Sequence, residues 1–134
     1  MMNRLLDRVL AVAGVFVLAM GGLFVLSPAA LAASSNAIVY TDGTRAGEVW
    51  FNRSNGTRGN RAWFDLYDAK CDKHSVYVEY SINNGADERK KNDGGCGTTR
   101  GFNLRTGYFA IVYRVCVDDT FGNHPCSGWR SDHN

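Results

Sequence analysis

The sequence predicts an all-β protein: a small antiparallel β-sandwich stapled by two disulfides, after a cleaved signal peptide. Three observations carry that expectation. Apolar and polar residues alternate in short segments between turn-forming glycines and asparagines, and no window after the first 32 residues has the 3.6-residue period of a helix. Four cysteines follow an N-terminal segment built like a secretion signal, so they are delivered to a compartment where thiols pair. Beyond that segment lie about a hundred residues, the size of one domain.

Residues 1–32 read as the signal. Arg4 and Arg8 form the basic region, residues 9–26 an uncharged apolar run, and Ala30-Leu31-Ala32 an A-x-A cleavage site. The run is long enough to span a bilayer, but Pro28 and the alanine series argue for cleavage over a retained anchor. The mature domain is then residues 33–134. Losing Arg4, Arg8 and Asp7 leaves it thirteen Lys and Arg against twelve Asp and Glu. Near-neutrality gives no bulk attraction to nucleic acid or to an anionic membrane, and neither is expected as a partner once the signal is removed.

Residues 33–43 open on Ser34-Ser35-Asn36 and continue into Ala37-Ile38-Val39-Tyr40, either a first strand or a flexible arm. Glu48-Val49-Trp50-Phe51 reads as a strand closed by an Asn55-Gly56 turn. Residues 61–67 alternate, with Ala62, Phe64 and Leu66 on one side and Trp63, Asp65 and Tyr67 on the other. Residues 75–82 form the clearest strand. Val76, Val78, Tyr80 and Ile82 share one face; Tyr77, Glu79 and Ser81 share the other, which should be solvated. Asn84-Gly85 is a hairpin centre, and the charged stretch 87–93 after it is a solvated loop or an exposed edge. A short strand at Phe102-Asn103-Leu104 precedes a long one over 107–117, with Phe109, Ile111, Tyr113, Val115 and Val117 on one face. Trp129 belongs to a last short strand or packs the C-terminal tail.

Folding the chain at Asn84-Gly85 brings Cys71 near Cys96, and the loop at 120–123 brings Cys116 opposite Cys126, which predicts those two disulfides. No C-x-x-C pair suggests a metal cluster. His124 lies with Asp118 and Asp119 in the disulfide-closed loop, but two adjacent carboxylates diverge on an extended chain, so no metal and no cofactor are expected. Asn52-Arg53-Ser54 and Asn55-Gly56-Thr57 match the glycosylation sequon, yet the alternation on both sides demands a turn there.

No motif specifies a reaction, and no catalytic residue is assigned. A ribonuclease-like hydrolase can be assembled from Glu79 as base, Arg100 or Arg105 as phosphate clamp and His124 as acid. An enzyme inhibitor can be assembled from the disulfide loop 117–125 with Phe121 at its tip. The stronger lead is a protein-binding module. Ile38, Val39 and Tyr40 of the N-terminal segment, together with Trp63 and Tyr77 as outward aromatics on the sheets, are its candidate contacts with another secreted protein.

Tyr113-Arg114-Val115-Cys116, a loop, and Cys126-Ser127-Gly128-Trp129 resemble the C-terminal signature of small secreted two-disulfide β-domain proteins of actinomycetes. Asp65-Leu66-Tyr67-Asp68 and Val76-Tyr77-Val78 are also similar to that group. Most of the group has no assigned activity. One role within it is the small adaptor subunit of umbrella toxin particles, which links a lectin-like subunit to a scaffold chain partly through its N-terminal strand. The resemblance implies such an adaptor, with residues 33–40 as the donated strand.

Overall fold

Two sets of alternating residues meet in one core. In the computed structural model, which describes residues 34–134, they lie on eight strands: β1 (Ser35–Thr41), β2 (Thr44–Asn52), β3 (Arg61–Asp68), β4 (Ser75–Ile82), β5 (Glu88–Asn92), β6 (Thr99–Thr106), β7 (Ala110–Asp118) and β8 (Arg130–His133). They form two antiparallel sheets ordered β1-β2-β3-β6 and β5-β4-β7-β8. Residues 1–32, expected to be a signal peptide, lie outside the described residues.

Val39, Val49, Phe51, Phe64 and Leu66 from the first sheet face Val76, Val78, Tyr80, Ile111, Tyr113 and Val115 from the second. Phe64 sits at the centre, 5.3 Å from both the Tyr80 and Tyr113 rings in edge-on and tilted contacts that favour opposed quadrupoles. Buried Tyr113 keeps its hydroxyl bonded to Ser35 Oγ at 2.7 Å, so that polar group is not stranded in the core. At Gly47 the two sheets approach closely: a Cβ there would stand 2.7 Å from Val76 Cγ1.

The segment that read as strand or arm is a strand. Ala37 and Val39 are 2% exposed and belong to the core, and the strand pairs along its length with β2. The turn that folds it back is Asp42-Gly43, both at positive φ and closed by the Thr41–Thr44 pair, the geometry that matches strand twist.

Other turns differ from the sequence reading. The connection from β2 to β3 is an eight-residue loop, 53–60, rather than a tight Asn55-Gly56 turn. Past Asn52 the chain is drawn to the C-terminus instead: Arg53 pairs with Asp132, and the Ser54 N–H donates to Asn134 Oδ1 at 2.7 Å. The β4–β5 turn centres on Asn83-Asn84, one residue early. Both have positive φ, and the Gly85 N–H donates to the Ile82 carbonyl at 2.9 Å. The charged stretch is the exposed edge strand β5, ended by wholly buried Asn92, whose amide donates to the carbonyls of Leu66 and Thr98.

Both predicted disulfides are present. Cys71–Cys96 ties together two of the three segments that cross between the sheets, β3 to β4 and β5 to β6, and Cys116–Cys126 closes the β7–β8 connection. Two disulfides in a domain this small are typical of extracellular proteins.

Candidate functional site

β1 is an edge strand whose residues divide sharply. Val39 points into the core, Ile38 is half-buried on the outer face, and Tyr40, after a bulge at Val39/Tyr40, is 59% exposed. Its outer row of backbone groups has no strand partner among the described residues. The other three edges all carry charge: Glu88, Arg89, Lys90 and Lys91 on β5, Arg100 and Arg105 on β6, Arg130 and Asp132 on β8. Charges on an edge repel an incoming strand. The strand sequence Ser-Asn-Ala-Ile-Val-Tyr-Thr has none.

Two of the expected contact aromatics are not available. Trp63 and Tyr77 do lie on the outer faces but are only 6% and 4% exposed. The Arg58 guanidinium covers the Trp63 ring at 5.0 Å, while the indole N–H donates to Asp65 Oδ2 at 3.0 Å. Arg89 covers Tyr77 at 4.9 Å, and the His124 ring stands edge-on at 6.2 Å. The same construction recurs on the first sheet, where Arg45 lies over Tyr67 at 5.2 Å and pairs with Glu48. Stacking arginines convert outward aromatics into a cation-capped surface. Among the described residues the exposed large hydrophobic side chains are Tyr40, Tyr108, Phe121 and Trp129.

Glu79 does not face open solvent as alternation alone suggests. Arg114 donates to Oε1 at 2.8 Å and Arg89 to Oε2 at 2.7 Å, leaving its side chain 5% exposed. Burial pushes its carboxyl up, but the two guanidiniums outweigh burial and hold it below the usual carboxylate range. A base so held takes a proton poorly, and both of its oxygens are engaged. Arg100 and Arg105, the proposed phosphate clamps, are on β6 in the other sheet, where Arg100 pairs with Asp93. The residues of the hydrolase reading are therefore not gathered into the arrangement expected of them.

In the 119–125 loop, Phe121 is 93% exposed above a turn closed by Asp119, and His124 Nδ1 is 3.8 Å from Asp118 Oδ1. Asp118 is already committed to Lys91 at 2.5 Å, which, as the largest influence, holds its carboxyl below the ordinary range. Among the described residues no group of three or more His, Cys, Asp or Glu is placed to hold a metal ion.

Fold and surface together define a disulfide-clipped β-sandwich with one uncharged edge. No protein-family model, curated protein or solved structure matches the chain.

Proposed function

We propose that the protein is a secreted, non-catalytic protein-binding module that takes a strand of another secreted protein along the outer edge of β1. The observation that carries this reading is the charge pattern of the edges: three are guarded by Lys, Arg, Asp or Glu, and β1 is not. Main-chain hydrogen bonds would supply affinity, and Ile38 and Tyr40 would read the partner's side chains. Val39 serves the fold instead, so a donated N-terminal strand would have to leave its own core; addition to β1 keeps that core whole. The adaptor role implied by the actinomycete resemblance is compatible with this mode, in a secreted toxin complex or another assembly. The test is affinity capture from the producing culture's supernatant with tagged protein and with Ile38→Lys, which places a charge on the edge and leaves the core untouched.

A second reading rests on Phe121, the most exposed large hydrophobic among the described residues, at the tip of a disulfide-closed loop. Such a loop suits insertion into an enzyme cleft, and the module would then be an inhibitor.

A further inference from the structure

The two sheets meet along two seams. Along the β1/β8 seam the gap is sealed, with Ser35 bonded to both Tyr113 and Asp132, and Arg53 paired with Asp132. Along the β5/β6 seam only one end is sealed, by the Asn92 amide bonded to Leu66 and Thr98 and by the Arg100–Asp93 pair. At the other end the sheets leave a groove of about 470 Å³, open to solvent along the seam.

The floor of this groove is Tyr80 and Leu104, both at the margin of the core, and its walls carry Arg61, Lys90, Arg105 and Glu88. Strand alternation puts the β5 charges there. Arg89 and Lys91 turn outward to Glu79 and Asp118, so Glu88 and Lys90 turn toward the first sheet. Guarding an edge against aggregation requires a charge, but it does not require cations from three different strands to converge.

The remaining ion pairs single the groove out. Of the thirteen Lys and Arg after residue 33, eight are paired with a carboxylate. Among the described residues five are not, and three of those five, Arg61, Lys90 and Arg105, line this one groove. Glu88 is the single carboxylate that lines it with them. The groove thus keeps an excess of two positive charges over an apolar floor.

We propose that the groove is a docking site for an extended acidic segment of a partner protein, its carboxylates meeting Arg61, Lys90 and Arg105 and one apolar side chain resting on Tyr80 and Leu104. Charge complementarity selects the acidic chain, and the open trough between two strand edges suits an extended peptide better than an enclosed small molecule. The site is on the seam opposite β1 and stands independently of the strand-addition reading.

The experiment is an amide chemical-shift titration of the oxidised protein with three probes: an acetylated, amidated Glu-Leu-Asp-Phe-Glu peptide, its neutral Gln-Leu-Asn-Phe-Gln counterpart, and sodium sulfate. The acidic peptide should give saturable shifts at Lys90, Leu104 and Arg105 below about 5 mM. Lys90→Glu and Arg105→Glu, both at exposed positions, should each weaken it about fivefold or more while the remaining spectrum stays unchanged. The proposal is overturned by non-saturating shifts, by equal shifts with the neutral peptide, by indifference to both charge reversals, or by sulfate saturating the same amides as tightly as the peptide.

Discussion

Replacing Val39 with alanine separates an integral β1 from a loosely attached N-terminal segment. Val39 is 2% exposed and packed in the inter-sheet core. Two methyl-sized groups at about 0.8 kcal/mol each give about 1.6 kcal/mol of lost transfer energy, and a partly relaxed cavity adds about 1 kcal/mol. The expected loss is about 2–3 kcal/mol, or a Tm lower by about 10–20 °C in a domain of this size. Thermal unfolding of the oxidised protein by circular dichroism measures it directly. Ile38→Ala on the outer face of the same strand is the internal comparison and should cost about 1 kcal/mol or less, because its neighbour is solvent on one side. Equal, near-zero shifts for both variants would refute the reasoning, since a segment that hangs free has no core to lose.

Four further outcomes follow from the structure. Gly47→Ala should destabilise by about 1–3 kcal/mol, because the new methyl meets Val76 across the sheets; denaturant midpoints check it. Removing Cys71–Cys96 by a double serine substitution should cost about 3.5 kcal/mol for its 25-residue separation, against about 2.7 kcal/mol for the 10-residue Cys116–Cys126 bridge, and chemical denaturation of the two variants should rank them in that order. For Asp132, burial pushes its carboxyl up, but hydrogen bonds from Ser35 and Arg53 prevail and set it below the ordinary range, as the guanidiniums do for Glu79. These two carboxylates bind fewer protons folded than unfolded, so their stabilisation is full above the ordinary carboxylate pKa and fades as pH falls through their folded values. Asp68, raised by burial, acts in the opposite sense, and Asp132→Asn should flatten the acid limb of a stability-against-pH curve. If the disulfide loop is an inhibitory finger, Phe121→Ala should abolish inhibition of its target enzyme while leaving Tm unchanged, because the ring is 93% exposed.

The core and the cysteine pairing were legible because both depend on local patterns. Alternation in 61–67, 75–82 and 109–117 places the same residues inward in the fold, and turn positions bring the cysteines within reach even when the turn centre is off by one residue. What remained ambiguous had a signal of its own. Asp42-Gly43 is the hairpin dipeptide that decides between strand and arm, a signal weakened by the shortness of the apolar run before it. The β2–β3 loop and the burial of Trp63, Tyr77 and Glu79 were not legible from neighbours in sequence. The loop and Glu79 depend on side chains brought from elsewhere in the fold, Arg53 reaching Asp132 across 79 positions and Arg114 reaching Glu79 across 35; the cover on Trp63 is Arg58 of the preceding loop, which alternation does not show folding back over the ring. The edge charges, by contrast, are plain in the sequence, but only the strand order shows which strands are edges.

The most direct test of β1 as the partner-binding edge is quantitative capture of secreted proteins from the native culture supernatant by the tagged protein, with Ile38→Lys and Arg130→Glu compared at matched Tm. The account predicts stoichiometric recovery of a defined larger protein by the parent and by Arg130→Glu, with recovery by Ile38→Lys reduced about tenfold or more. Equal recovery by all three, or recovery of the domain alone, would contradict it.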